Sequence, residues 1–365
     1  MHALLIGTGG ASGWPQDGCC CASCLRAGSG GQVRRPGRVL IDGSLEFLPG
    51  QQTLTGTGAP GGGGHVIAQL PGGFEITGPD GGRLLLAGGP GQIPEPPSGA
   101  RPYDIALLDL LASPVQLGRL RAAGLVLAHT AVGALYADHR ISSEQELARR
   151  CELWRAAVCQ DGQLLVSPAP GVPAVIPAPG TAVVRPHRTL ILGGARSGKS
   201  AEAELRLAAE PSVTYLAAAA GGRGGTEWAA RVTSDQARRP PWWRTVKSLD
   251  IAGQLRQETG AVLIEGIGAW LAGVMDEVGM RAGDPQGPDR AAEILGARID
   301  DLIAAWRQTG ALVVAVSDQA GAGLDPPYPA NRIFRDQLGW LNQRLAAESE
   351  VNLLVVAGRV TMLAV

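Results

Sequence analysis

The chain lacks most of the features that mark membrane, secreted or nucleic-acid-binding proteins. Acids and bases nearly cancel over its 365 residues, leaving a formal net charge of −1. Nothing in that balance draws the chain to nucleic acid or to an anionic membrane surface. No run of about 18 apolar residues occurs, so no membrane-spanning helix is expected. The start, Met1-His-Ala-Leu-Leu-Ile-Gly7, has neither a basic stretch nor a cleavage site, so no secretory leader is expected. A cytoplasmic protein is the resulting expectation. Its six cysteines then argue for metal binding or free thiols rather than disulfides. No internal repeat is present, and no H-x-H-x-D-H run occurs anywhere.

Glycine, in contrast, is abundant, with 53 residues. It gathers in stretches such as Gly61-Gly-Gly-Gly64 and Gly221-Gly-Arg-Gly-Gly225 without a three-residue period, so these are connections and not collagen. The length suggests about two domains of roughly 150 residues each. Between Ser167 and Gly180 lie five prolines and no charge. Such a segment forms neither helix nor central strand. It divides the chain into a domain over 1–166, a linker over 167–187 and a domain over 188–365.

The strongest chemical signal opens the second domain. An apolar run, Thr189 to Leu192, leads into Gly193-Gly-Ala-Arg-Ser-Gly-Lys-Ser200, and a helix-compatible segment, Ala201 to Glu210, follows. Strand, glycine loop and helix in that order are what a phosphate-binding P-loop needs. Backbone N–H groups of Gly193, Gly194, Ala195, Arg196, Ser197 and Gly198 would surround a phosphate, aided by the helix N-terminus. Lys199 would reach the β- and γ-phosphates and Ser200 would ligate Mg²⁺. A nucleoside triphosphate, ATP or GTP, is the expected ligand.

Further apolar runs follow at Ser212–Ala217, Ala261–Ile264, Ala311–Val316 and Val351–Val356, with helical patterns over Ala291–Gln308 and Asp336–Glu348. Strands apolar throughout and alternating with helices predict an α/β fold with a mostly parallel sheet covered by helices. Ligands then sit at the carboxyl ends of the strands. Glu265 lies at such an end, placed either for the Walker-B role beside Mg²⁺ or as a solvated loop acid.

Taken together, Gly193-Gly-Ala-Arg-Ser-Gly-Lys-Ser200, Val213-Thr-Tyr-Leu-Ala217 and Arg238-Arg-Pro-Pro-Trp-Trp-Arg-Thr245 carry a resemblance. So do Trp270-Leu271, Val316-Ser317, Arg332-Ile-Phe-Arg-Asp-Gln-Leu-Gly-Trp-Leu-Asn-Gln343 and Val355-Val-Ala-Gly358. Residues 190–365 resemble the adenosylcobinamide kinase/adenosylcobinamide-phosphate guanylyltransferase family of cobalamin biosynthesis. The resemblance implies phosphorylation of the aminopropanol hydroxyl of adenosylcobinamide, then transfer of GMP from GTP to that phosphate. It implies nucleotide binding by the P-loop and by Ala217, Ala218, Ala219, Gln236, Ala237, Arg238, Arg239 and Lys247. It also implies a homo-oligomer, typically a trimer.

The sequence departs from the family pattern at four places. The family's nucleophilic His, which takes up GMP, is Asp235 here. An imidazole gives a phosphoramidate that passes GMP on, whereas a carboxylate gives a hydrolysable mixed anhydride. The carboxylate that the resemblance implies for guanine contact is Lys247 here, and an ammonium cannot accept from guanine N–H groups. The family's Walker-B Asp is Glu265, and its Asn-Glu after Val-Ser is Asp318-Gln319. These changes predict a kinase with guanylyl transfer weakened or lost. The alternatives are the full bifunctional enzyme using another nucleophile, and a non-catalytic nucleotide-binding regulator or scaffold.

In the first domain Cys19, Cys21 and Cys24 are spaced C-x-C-x-x-C. Thiolates so close can share one Zn²⁺ with a fourth ligand from elsewhere; the alternative is a loop with surplus cysteines. Leu4-Leu-Ile-Gly-Thr-Gly-Gly10, Gly13-Trp-Pro15, Val39-Leu-Ile-Asp-Gly43, Ile76 to Leu85 and Tyr136 to Arg150 join the cluster in a looser resemblance. This half resembles a reduced metallo-β-lactamase-like αββα domain, of the phosphodiesterase-like branch with an extra structural zinc. Aligned through Glu146 to Arg150, the fourth zinc ligand falls on His139 and a catalytic His on Tyr136. The bridging Asp falls on Gly89, so hydrolase chemistry is expected to be lost. His65 is expected to be a loop histidine and His129 a packed or surface one, neither a metal ligand. Trp242 and Trp243 suit either base stacking or packing. Adenosylcobinamide and a nucleoside triphosphate are the expected partners, with no nucleic acid and no membrane.

Overall fold

The computed structural model describes residues 1–48, 53–56, 64–88, 100–167, 187–217, 239–280, 288–322 and 329–364. The chain divides into two compact units, Met1–Val183 with Ala208–Pro211, and Val184–Leu207 with Ser212–Val365. The linker expected over 167–187 lies almost wholly outside the described residues. No described helix is long and apolar enough to cross a membrane.

The first unit holds two sheets. One is antiparallel, with β1 (His2–Gly7), β2 (Arg38–Ile41), β3 (Leu45–Leu48), β4 (Thr53–Gly56) and β11 (Gln163–Val166) in the order β11-β1-β2-β3-β4. The other runs β10-β9-β8-β7-β6-β5, made of β5 (Val66–Leu70), β6 (Gly73–Thr77), β7 (Arg83–Ala87), β8 (Ile105–Leu108), β9 (Ala131–Ala134) and β10 (Ala157–Val158). Its members β7 to β10 are parallel, and β5 and β6 close it as antiparallel strands. Alternate residues of the first sheet, Ala3, Leu5, Val39, Ile41, Leu45 and Phe47, point into one core. There they meet Phe74, Ile76, Leu84, Leu86, Ile105 and Leu107 of the second sheet. Three helices complete the unit: α1 (Ala22–Ser29), α2 (Val115–Ala122) and α3 (Glu144–Leu153). The α3 helix starts at Ser143, whose Oγ accepts from the Glu146 N–H at 3.2 Å.

The second unit is built on a seven-stranded sheet in the order β14-β13-β15-β16-β12-β17-β18. The strands are β12 (Arg188–Gly193), β13 (Val213–Ala217), β14 (Arg244–Lys247), β15 (Ala261–Glu265), β16 (Leu312–Asp318), β17 (Val351–Val356) and β18 (Arg359–Met362). All neighbours are parallel except β17 with β18. The helices are α4 (Lys199–Leu207), α5 (Ile251–Gln257), α6 (Ile267–Glu277), α7 (Pro288–Gln308) and α8 (Pro329–Ala347).

Both faces of this sheet are covered, which is why its strands read as unbroken apolar runs. Leu190, Leu192, Val262, Ile264, Val313 and Ala315 enter one core with Trp270, Leu302 and Leu341. The residues between them, Ile191, Leu263, Val314 and Val316, enter the other with Ala203, Leu207 and Tyr215. Two helices begin earlier than their apolar pattern: α7 starts at Pro288 and α8 at Pro329. A proline fits a helix's first position because its missing N–H has no helical partner there. Among the elements not expected, α6 is the longest and β14 and β18 lie at the sheet's two edges.

Candidate functional site

The glycine loop leaves β12, the strand bonded to β16 on one side and β17 on the other. It therefore emerges well inside the edge where the parallel strands end, the usual ligand position in such sheets. Gly193 must be glycine. A Cβ there would lie 2.5 Å from Ser197 Oγ and 2.8 Å from the Val355 carbonyl oxygen. Gly198 has φ +102°, and Arg196 accepts the left-handed region at φ +56°. For a non-glycine residue that conformation costs about 1–2 kcal/mol, and such strain is commonly stored at functional loops. The Gly358 N–H donates to the Ser197 carbonyl oxygen at 2.7 Å, tying the loop to the turn after β17. Gly194, Ala195 and Arg196 are exposed and Ser197 is buried.

The next two residues open α4, and each meets a carboxylate. Lys199 Nζ donates to the Gly194 carbonyl oxygen at 3.1 Å and pairs with Asp318 Oδ1 at 3.0 Å. Ser200 Oγ donates to Glu265 Oε1 at 2.7 Å. The acids come from adjacent parallel strands, Glu265 at the tip of β15 and Asp318 at the tip of β16. Asp318 stands beside Gly193 in the register of β16 with β12. Its backbone is fixed on both sides: the Gln319 N–H donates to the Gly193 carbonyl oxygen at 3.1 Å, and Asn342 Nδ2 donates to the Asp318 carbonyl oxygen at 3.1 Å. Asn342 Oδ1 in turn accepts from Ser317 Oγ at 2.6 Å. Asn342 of α8 thus clamps the strand tip from within the core.

The fold brings together the loop, Glu265 and Asp318, but not every residue expected at the site. Lys247 is exposed at the tip of β14, and β13, β15 and β16 separate that strand from β12. Ala217 ends β13 and pairs with Lys247. Arg239 is buried, with its guanidinium carbon 3.4 Å from the centroid of the Tyr215 ring. Trp243 is buried in the core beside Ala203 and Tyr215, with Trp242 packed against that core. Packing, not base stacking, is what Trp243 does. Ala218, Ala219, Asp235, Gln236, Ala237 and Arg238 lie outside the described residues.

In the first unit Cys19, Cys21, Cys24 and His139 converge, their ligand atoms all within 4.8 Å of one another. Cys21 caps α1, its Sγ accepting from the Cys24 N–H at 3.4 Å. That hydrogen bond holds the Cys21 thiol below its ordinary pKa. Burial pushes the Cys24 thiol up to about 11. A tetrahedral Zn²⁺ with bonds of about 2.3 Å sets its sulfurs roughly 3.8 Å apart, so a cluster of this size suits it.

Tyr136 is the residue that the resemblance aligns with a catalytic His. Tyr136 is buried with φ +68°, and its hydroxyl lies against Gly88, where a Cβ would collide with it. Nearby, Arg140 donates to Asp109 Oδ2 at 3.1 Å and to Asp138 Oδ1 at 2.8 Å, so an arginine holds both acids. Gly89 lies outside the described residues. His65 is more firmly fixed than a plain loop histidine: its Nε2 lies 2.7 Å from Asp42 Oδ2.

A family model described as cobinamide kinase / cobinamide phosphate guanyltransferase matches residues 189–363. The bifunctional adenosylcobalamin biosynthesis protein CobP of Pseudomonas aeruginosa is 37% identical over 177 residues, 47% of this chain and 94% of that protein. The chain belongs to this family through its C-terminal half. The bifunctional adenosylcobalamin biosynthesis protein CobU of Salmonella typhimurium is 38% identical over 178 residues, 46% of this chain and 95% of that protein. Among solved structures, an ATPase from the type III secretion system of pathogenic bacteria aligns with a TM-score of 0.30 and 16% identity, over 46% of this chain and 50% of that one.

Proposed function

We propose that the C-terminal unit is an adenosylcobinamide kinase of cobalamin biosynthesis, using ATP or GTP, with guanylyl transfer weakened or lost. The observation that carries the kinase reading is the pairing of Lys199 and Ser200 with Asp318 and Glu265, in a chain of this family. Lys199 supplies a positive charge for the β- and γ-phosphates, and the loop N–H groups cradle them. Ser200 and Glu265 suit Mg²⁺. Their oxygens are 2.7 Å apart, and an octahedral ion with bonds of 2.0–2.1 Å sets neighbouring oxygens about 2.9 Å apart. Bound there, the ion would neutralise charge on the transferring phosphoryl group.

The weakened second step rests on Asp235 standing where the family pattern has its nucleophilic His, and on Lys247 replacing an acid. Incubation with adenosylcobinamide, ATP and GTP, followed by product identification, tests the whole reading. Adenosylcobinamide phosphate is the expected product. Adenosylcobinamide-GDP together with an acid-labile protein adduct from α-labelled GTP would establish the bifunctional alternative. Nucleotide binding without turnover would leave a regulator or scaffold. The double variant Asp235→His, Lys247→Glu is expected to gain the adduct if those positions alone suppress it.

For the N-terminal unit the favoured reading is a metallo-β-lactamase-like domain that has kept a structural zinc site and lost its catalytic metals. The converging Cys19, Cys21, Cys24 and His139 support the zinc. Four protein ligands close a tetrahedral site and leave no open position for hydrolysis. Tyr136 and Gly89 at the expected catalytic ligand positions support the loss. A trimeric state and a cytoplasmic location complete the proposal.

A further inference from the structure

The α8 helix rises past the sheet beside the glycine loop. Near its end the Ala346 carbonyl oxygen accepts from Asn352 Nδ2, at the start of β17, at 3.0 Å. Four residues earlier Asn342 reaches the last two residues of β16, Ser317 and Asp318. The helix therefore runs from the carboxyl ends of the strands toward their starts, and its residues before Asn342 extend beyond the strand tips. One face of that overhang borders the site. A Cβ on Gly268, in the first turn of α6, would lie 3.2 Å from Asp318 Oδ2, 3.5 Å from Leu338 Cδ2 and 3.7 Å from Phe334 Cζ. Asp318 Oδ1 in turn holds Lys199 Nζ at 3.0 Å. Residues three, four or seven apart share a helix face. Arg335 comes three before Leu338 and seven before Asn342, so it stands on this face, about 10 Å beyond Asn342 at roughly 1.5 Å per residue. Its guanidinium donates to Asp336 Oδ1 at 3.1 Å, and that acid is 53% exposed. Exposed pairs of this kind hold weakly, so a phosphate can take the guanidinium over.

We propose that Arg335 is a second cation for the phosphoryl group in transfer, approaching it from α8 while Lys199 holds it from the loop. Lys199 offers a point charge, and an arginine adds a planar fork that binds two phosphate oxygens at once. As the acceptor hydroxyl oxygen forms its bond to the γ-phosphorus, the bond from that phosphorus to the bridging oxygen breaks. The electron pair leaves with the nucleoside diphosphate, and the hydroxyl proton passes to solvent. Negative charge spreads over the outer oxygens of the moving group, and a guanidinium there stabilises that state more than the bound triphosphate. Arg335 lies within Arg332–Gln343, a stretch that carries the resemblance to the family. The role rests on the kinase reading of the site.

The test compares the full-length parent with Arg335→Ala and Arg335→Lys in the phosphorylation of adenosylcobinamide by ATP. Arginines that touch a transferring phosphoryl group are worth about 10³–10⁵-fold in kcat, so Arg335→Ala is expected to lower kcat roughly 10³-fold. ATP affinity, the KM for adenosylcobinamide and thermal melting should stay near those of the parent. Guanidinium chloride at a non-denaturing concentration should restore part of the rate to Arg335→Ala without speeding the parent, a response that a packing defect does not give. Arg335→Lys, which keeps the charge without the fork, should fall between the two. Arg335→Ala within about threefold of an active parent would overturn the role. So would a loss confined to ATP affinity or to the KM for adenosylcobinamide, which would leave Arg335 a binding residue. A fall in kcat that follows a fall in melting, and that neither guanidinium nor lysine relieves, would assign Arg335 to helix packing alone. A parent that binds ATP but never phosphorylates adenosylcobinamide would instead sink the kinase reading, and this role with it.

Discussion

At the scale of single residues, the site works by holding charge in place before a ligand arrives. Lys199 contributes one ammonium, already aligned by Gly194 and Asp318, and it belongs to neither apolar core. Lys199→Ala should therefore lower phosphoryl transfer by roughly 10³-fold or more while circular dichroism and melting stay near those of the parent. Near-parental turnover would remove the kinase reading. A second prediction concerns Asp42. Burial pushes its carboxyl upward, but His65 and the His2 N–H outweigh that and leave it below its usual range. A depressed carboxyl adds stability that is complete above the unfolded value of about 3.9 and is lost as pH falls through the folded value. Asp42→Asn keeps a residue type that tolerates the local φ of +47°. It should cost the N-terminal unit about 1–3 kcal/mol at pH 7, and chemical unfolding should show the gap closing as pH falls below the unfolded value and through the lower folded one. Lys199, Ser200 and the cysteine cluster were legible in the sequence because their spacing is local. The pairing of Asp318 with Lys199 was not, because only the register of β16 on β12 creates it.

At the scale of elements, the strands most readable in advance were those buried on both faces. The run Val351–Val356 is β17 residue for residue, and Ala261–Ile264 falls one short of β15. The edge strand β14 carries Arg244, Thr245 and Lys247, largely exposed, so it has no apolar run to announce it. The α6 helix escaped notice for the opposite reason. Ile267, Trp270, Leu271, Val274 and Met275 are all buried within a helix so apolar that its pattern shows little contrast. The junction of β12, loop and α4 tolerates little change. Gly193→Ala would press a methyl group on Ser197 and on the carbonyl of Val355. The expected cost is about 1–3 kcal/mol of stability and at least a tenfold loss of ATP affinity. Thermal melting and nucleotide titration would read the two effects separately, and unchanged affinity would mean that the loop does not hold the phosphates.

At the scale of the whole molecule, the N-terminal unit carries a candidate staple. The proposed zinc joins the start of α1 to the segment after β9, far apart in sequence within one unit. Elemental analysis should find one zinc per chain. A strong chelator should lower the melting of the N-terminal unit first, because structural zinc sites contribute folding free energy, and ATP should still bind. Two metals with phosphodiesterase activity would contradict the structural assignment. Charge is distributed unevenly in another respect. Of the 32 basic residues only two, Lys199 and Lys247, are lysines, and the rest are arginines. Both lie toward the carboxyl ends of the strands of the C-terminal sheet, Lys247 exposed and Lys199 only 13% exposed and engaged with Asp318. Side-chain amine chemistry on the chain is thus confined to one region by composition. A mild acylating reagent should tag Lys247 quickly and Lys199 slowly, with bound triphosphate suppressing the second tag. Peptide mass spectrometry would then report site occupancy from a covalent label that has almost nowhere else to go.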